Sequence, residues 1–332
     1  MGGERLIYVK NDNNNPYFNL ALEEYVFDSL DRDDDYLLLW QNEPTIVVGK
    51  HQNTIEEINM DFIRENNINV VRRLSGGGAV YHDLGNLNFT FIIRNEDNSS
   101  FDFKRFTLPI INGLKNLGIE AEFNSRNDLA IKGKKFSGNS QYMRKNRLLH
   151  HGTLLFNSDL EMLVKALNVS DEKIISKGIK SIRSRVTNIS EHLSLDITIS
   201  QFKELLLEYL FEGKEMNKYE LSREEIEEVE KLMSKKYMTW KWNYGESPRF
   251  NVKKSKKFNS GRVEALIYVE RGMIKNFKFY GDFFGSGDLR DIEDKLIGHR
   301  YDREEMEKVL LCVNMERYFA NISVDEILSC II

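Results

Sequence analysis

AEFNSRNDLAIKGKKFSGNSQYMRKNRLLHHGTLLF, the stretch Ala121–Phe156, decides the class of fold. Its apolar and polar residues alternate in three short strand-like runs. One tight connection is Lys132-Gly133-Lys134, and another is Arg144-Lys145-Asn146. Turns this short join antiparallel neighbours, because parallel strands need long crossovers. The expected fold is therefore α/β of the α+β kind: a mixed, largely antiparallel sheet with flanking helices, and not a Rossmann alternation.

Upstream, Leu6–Val9 reads as a strand, and the Asn-rich turn 11–15 before Pro16 reads as a helix start. Leu22, Val26 and Leu30 follow at helical spacing. Tyr36–Trp40 and Thr45–Gly49 read as two strands joined by the turn Gln41–Pro44, with further strands at Asn69–Val71 and Asn88–Ile93. Downstream, residues 160–236 turn helical, and Ser222-Arg223-Glu224-Glu225 is a capping box before Ile226, Val229 and Leu232. The acidic run Glu224–Glu230 is expected to be a solvated helix face. Tyr244–Pro248 marks a boundary. Beyond it come Lys253–Lys257, expected as a solvated linker, then a hairpin of Val263–Glu270 and Ile274–Tyr280 about Arg271-Gly272, then two or three helices. Two domains are expected: 1–245, and a small α/β accessory domain over 246–332.

Of the 332 residues, 41% are hydrophobic and 30% charged, a globular balance. The net charge of −5 offers no long-range attraction to nucleic acid. Only Cys312 and Cys330 occur, which rules out a four-cysteine zinc site and argues against a disulfide scaffold. There is no apolar run of signal-peptide or membrane-span length. These features lead to the expectation of a cytoplasmic protein, monomeric by default, with no membrane or nucleic-acid partner and no resident metal.

The most unusual stretch is Arg72–Asn86, RRLSGGGAVYHDLGN. Bare glycine backbone lets N–H groups converge on an anion, and arginine forks onto phosphate or carboxylate oxygens. The pattern fits an anion cradle and a tight structural turn alike. Gly133 and Gly138 have P-loop spacing but lack the Lys-Ser/Thr that should follow, and Gly285-Ser286-Gly287 lacks a third glycine. Lys135 opens an alternating strand and can point along a groove. His150 and His151, adjacent in a strand, face opposite sides and cannot share one metal.

Taken together, several segments resemble the lipoate–protein ligase A family of the biotin/lipoate ligase superfamily. They are Arg72–Asn86, Asn127-Asp128-Leu129 with Lys135-Phe136-Ser137-Gly138, His150–Leu160, Lys180–Ile189, Gln41–Gln52 and Trp240–Pro248. The similarity runs in order from Leu6 to Pro248, and the remainder is similar to the family's accessory domain. The resemblance implies a curved mixed sheet flanked by helices. It implies that lipoate attacks the α-phosphate of ATP to give lipoyl-AMP and pyrophosphate, and that a lysine of a lipoyl domain then takes the acyl group. The implied acceptors are 2-oxoacid dehydrogenase acyltransferase subunits and the glycine cleavage H protein.

Residue by residue, Lys135 matches the family's catalytic lysine. Arg73 and the Gly78-Ala79-Val80-Tyr81 backbone match positions that hold the adenylate, with Asp128 a candidate for placing nucleotide or Mg²⁺. Lys135, Arg73, Ser75, Gly77, His82 and His151 are the implied lipoate contacts. Two rivals stand beside this. An octanoyltransferase of the superfamily works through a catalytic-domain cysteine, and no cysteine precedes Cys312 here. The other is a non-catalytic relative that retains the fold and binds nucleotide or lipoate. A biotin ligase is disfavoured, because its basic Gly-rich loop has a different pattern from Arg72–Gly78.

Overall fold

A computed structural model describes residues 6–31, 33–95, 102–124, 127–144, 146–166, 184–213, 215–244 and 250–332. The expected boundary beyond Tyr244, the start of the Lys180–Ile189 segment and Lys145 lie outside these residues. The chain divides into two units. The first comprises Met1–Val47, Ile58–Val71 and Val80–Trp242; the second comprises Val48–Glu57, Arg72–Ala79 and Asn243–Ile332.

The first unit is built on eleven strands: β1 (Leu6–Val9), β2 (Asp35–Trp40), β3 (Thr45–Val48), β4 (Asn69–Arg72), β5 (Val80–His82), β6 (Asn86–Arg94), β7 (Ala121–Asn124), β8 (Asp128–Ile131), β9 (Lys134–Arg144), β10 (Arg147–Leu155) and β11 (Asn217–Tyr219). Eight form one sheet in the order β11-β1-β2-β6-β10-β9-β8-β7, parallel only where β1 meets β11 and β2. The Ala121–Phe156 stretch supplies half of this sheet, with four strands where the sequence suggested three. Its turns work as expected: Lys132 and Gly133 take φ of 49° and 75°, and Asn146 takes 59°, the left-handed values that tight hairpins demand. The connection after β2 is not a hairpin. β2 pairs with β1 and β6, whereas β3 joins a separate sheet of order β4-β3-β5. Strand β11 lies inside a region whose periodicity reads as helix throughout.

Helices α1 (Pro16–Ser29), α2 (Phe103–Asn116), α3 (Leu160–Ala166), α4 (Ile199–Leu210) and α5 (Arg223–Leu232) are among the helices of the first unit. Asn15 caps α1, accepting from the Tyr17 and Phe18 amides, with Pro16 at the first helical position. Phe106, Ile110 and Leu114 of α2 and Phe202 and Leu206 of α4 recur at a spacing of four. They cover Leu37, Leu39, Phe89, Phe91 and Leu148 on one face of the large sheet. Ser222 and Glu225 form the expected capping box of α5.

In the second unit, β12 (Val252–Phe258), β13 (Gly261–Glu270) and β14 (Met273–Gly281) form an antiparallel sheet, with Arg271 and Gly272 at the expected hairpin turn. Helices α6 (Arg290–Leu296), α7 (Arg303–Leu311) and α8 (Val324–Ile331) share with it a core that includes Ile267, Phe277, Phe279, Leu296, Leu310 and Ile327. The expected lysine linker is strand β12, on the sheet edge. Lys253 pairs with Glu264 at 3.4 Å, Lys254 donates to the Ile332 carbonyl and Lys256 to Ser329. Lysines on an edge strand discourage pairing with a foreign strand. Among the described residues, no helix is long and apolar enough to cross a membrane.

Candidate active site

Lys135 reaches its position through a break in strand alternation. Leu129 of β8 faces Ser137, but its neighbour Ala130 faces Lys135, so Phe136 is the extra residue of a β-bulge. Phe136 enters the apolar core together with Leu129. Lys135 is thereby turned to the other face, where its ammonium pairs with Asp128 at 2.8 Å. A side chain at position 138 would place Cβ 3.0 Å from Lys135 Nζ, so glycine there keeps room for the ammonium. Thr153 of β10 accepts the Gly138 amide, and Thr187 donates its amide to the Lys135 carbonyl.

The same face of the sheet carries a row of buried polar side chains. His151 lies opposite Thr90 on β6 and Ser140 on β9. Its Nδ1 meets both oxygens of Glu23 at 3.1 and 3.2 Å. Thr90 donates to Glu23 at 2.5 Å and accepts from Trp40 Nε1 at 2.9 Å. On β5 of the smaller sheet, His82 Nδ1 faces the Asn42 amide at 3.0 Å, and its ring meets the edge of Trp40. Tyr81 is buried beside it, opposite Ile46. Glu23, Trp40 and Thr90 were not singled out from sequence. A carboxylate at position 23, three and four residues before Val26 and Phe27 on a buried helix face, was the available signal.

In the second unit, Arg72 and Arg73 have different employment. Arg72 is buried and serves backbone carbonyls of the segment after β3. Arg73 turns inward on its own loop, donating to the carbonyls of Gly76 (2.6 Å) and Gly78 (2.8 Å) and to Ser75 Oγ (3.1 Å). The three glycines also divide. A Cβ on Gly76 would lie 2.3 Å from the Phe283 carbonyl; Gly77 has φ of +90° and packs under the Phe284 ring. Gly78 has no heavy atom within 4 Å of such a Cβ and is exposed. Packing thus requires the first two glycines of the triplet, as a structural turn would, and the third presents open backbone.

Two histidines are held neutral. Burial, and then its neighbour His151, pushes the His150 imidazole well below its ordinary range. Burial does the same to His51, aided by Lys50 and Arg72, where it stacks on Phe283 at 5.0 Å. A group whose folded pKa is depressed binds its proton more readily unfolded, so folding stability falls as pH drops below the unfolded imidazole value of about 6.5. Each histidine should contribute a slope approaching ~1.4 kcal/mol per pH unit there. Denaturation at pH 7.0, 6.0 and 5.0 reads this directly, and a flat profile would contradict it.

The residues that could hold a nucleotide-borne cation are few. Among the described residues no cluster of three or more His, Cys, Asp or Glu side chains forms a metal cage. Asp128 is a single hard oxygen donor beside the ammonium, and that suits Mg²⁺, which arrives with substrate phosphates and keeps most of its waters.

Residues 15–211 match the lipoyl protein ligase A/B catalytic domain, and residues 247–331 match the bacterial lipoate protein ligase C-terminus. The chain is 46% identical to the lipoate-protein ligase LplJ of Bacillus subtilis over 330 residues, covering 98% of this chain and all of that one. Its fold is similar to that of P. falciparum LipL1 in complex with lipoate, with a TM-score of 0.81 at 29% identity over 98% of both chains. A lipoate-protein ligase A bound with ATP matches with a TM-score of 0.62 at 29% identity, covering 74% of this chain and 99% of that one. The chain belongs to the lipoate–protein ligase family.

Proposed function

We propose that this chain is an ATP-dependent lipoate–protein ligase in which Lys135 brings the lipoate carboxylate and the ATP α-phosphate into reaction. The observation that carries this is the ammonium of Lys135. A bulge turns it onto the polar face of the sheet, and Asp128 holds it over Gly138. Two anions repel at bonding distance by several kcal/mol unless a cation sits between them. A compact ammonium with three donors can touch a carboxylate oxygen and a phosphate oxygen together, and then stabilise the charge that moves onto the leaving pyrophosphate. Asp128 keeps Lys135 oriented before substrate arrives, and its oxygen would be a donor for Mg²⁺ bound with the nucleotide. Mg²⁺ would supply charge neutralisation of the pyrophosphate.

The same reading assigns Arg73 and the Gly78–Tyr81 backbone to the adenylate, and Arg73, Lys135, Ser75, Gly77, His82 and His151 to lipoate. Supporting His151 is its place on the Lys135 face, opposite Ser140, two residues or about 7 Å along β9 from Gly138. For Arg73 the role requires exchanging the loop carbonyls for substrate oxygens. The reading takes residues 1–245 as the catalytic domain and 246–332 as the accessory domain, in a cytoplasmic monomer. The acceptors would be lipoyl domains of 2-oxoacid dehydrogenase complexes and the glycine cleavage H protein. Cys312, exposed, and Cys330, buried, both lie outside the segment matched to the catalytic domain, which disfavours a thioester route.

Pyrophosphate exchange into ATP, with lipoate, octanoate and biotin offered separately, tests the reading. Exchange with lipoate and none with biotin is expected. No exchange with any acid would leave the non-catalytic relative in its place.

A further inference from the structure

On the core face of the large sheet, directly behind His151, stands a buried polar chain that the proposed chemistry does not use. His150 is fully buried, stacked on Phe106 at 4.7 Å and on Phe89 at 5.8 Å. Gln141 donates its side-chain amide to the Asp102 carbonyl at 3.1 Å and lies 2.9 Å from His150 Nδ1. With that donor against it, Nδ1 accepts, so the proton of the neutral ring sits on Nε2. Nε2 points at Asn139 Oδ1, 3.2 Å away. Asn139 in turn donates to the Asn127 carbonyl through both its backbone N–H and its side-chain amide, each at 3.0 Å. Asn127 returns a bond to the Asn139 carbonyl at 2.6 Å. The residue after Asn127 is Asp128, whose carboxylate holds Lys135.

We infer that His150 is a positioning residue for the Asp128–Lys135 pair, acting through Asn139 and Asn127 as a fixed Nε2–H donor. This rests on the role proposed for Lys135. The imidazole on the Oδ1 side and the Asn127 carbonyl on the Nδ2 side together fix which way the Asn139 amide points; reversed, that amide would set its oxygen against the Asn127 carbonyl and its N–H against Nε2–H. Asn127 precedes β8 directly, so its three bonds to Asn139 set where β8 begins and where the Asp128 carboxylate stands. An apolar ring at position 150 would fill the space between Phe89 and Phe106 but take away the donor that faces Asn139 Oδ1, leaving the amide held through Nδ2 by the Asn127 carbonyl and Ser137 Oγ.

A matched pair of variants separates positioning from bulk stability. His150→Gln can present an amide N–H where Nε2 stands; the side chain of His150→Asn is one methylene shorter and cannot reach Asn139. Both leave a cavity and should unfold at similar, lowered temperatures. Two readouts are needed: lipoyl-AMP formation, and the rate at which an amine-reactive ester labels Lys135 in the ligand-free protein, read by mass spectrometry. His150→Asn should lose ~10–100-fold in adenylation, as supporting-shell residues do, and label Lys135 faster as the pair loosens. His150→Gln should stay within a few-fold of the parent in both. If the two variants behave alike, or if His150→Asn leaves both readouts unchanged, the inference is overturned. If instead Lys135→Ala still forms the adenylate, the fault lies in the role given to Lys135.

Discussion

Lys135→Ala should form lipoyl-AMP at less than ~1% of the parent rate, a loss on the order of 3–4 kcal/mol of barrier lowering, while retaining the fold. The magnitude follows from what the ammonium is asked to do. In the proposed role it stands between two anions as they approach and is the donor nearest the charge that develops in displacement. Removing a single donor of this kind from a preorganised site typically costs two to three orders of magnitude. Stability should change little, because the side chain is partly exposed and its ion pair with Asp128 is of the half-solvated type worth at most about 1 kcal/mol. Quench-flow measurement of the adenylate, with thermal unfolding as control, checks both halves. Near-parental adenylate formation would remove Lys135 from its role.

The second large effect concerns the other arginine. Arg72→Ala is expected to destabilise the second unit by about 4 kcal/mol or more, since several buried acceptors lose their donor at once. Nη1 donates to the carbonyls of Gly49, Lys50 and Gln52 at 2.8, 3.1 and 2.7 Å, and Nη2 to Thr54 Oγ1 and the Asn243 carbonyl at 2.6 and 3.1 Å. Burial lowers its pKa to about 10, so the group remains cationic at neutral pH. Arg72→Lys should recover little, because a point-like ammonium cannot serve acceptors spread around a planar fork. Urea denaturation of the three proteins decides. Parental stability in Arg72→Lys would show that charge alone suffices.

How much of this was legible in sequence depended on the range of the interaction. The hairpins about Gly133, Asn146 and Gly272 were readable because left-handed backbone is a local demand that few residues meet. The parting of β2 and β3 was not. Nothing in Gln41–Pro44 says that the strand before it pairs with β6, nearly fifty residues on. The Lys253–Lys257 segment looked like a linker because four lysines in five residues hide a strand whose other contacts are long-range.

At the site the pattern is similar. Lys135 and Asp128 stood out by resemblance, but the bulge that brings them to one face leaves no mark in the alternation of LAIKGKKFSGN. Arg72 and Arg73 look equivalent side by side, and only the fold shows that one is a structural clamp. Two of the three glycines in the loop are needed by Phe283 and Phe284, residues more than two hundred positions away.

The composition of the second unit has a practical corollary for anyone who would split the chain. Residues 48–57 and 72–79 pack with 243–332, not with the strands that flank them in sequence. A cut near residue 245 would therefore not liberate a self-sufficient module. Each fragment would carry an unfinished surface, the amino-terminal piece displaying Arg72 and bare Gly76–Gly77, the carboxy-terminal piece an uncovered Phe283–Phe284. Such halves should be poorly behaved alone and should restore one another when mixed.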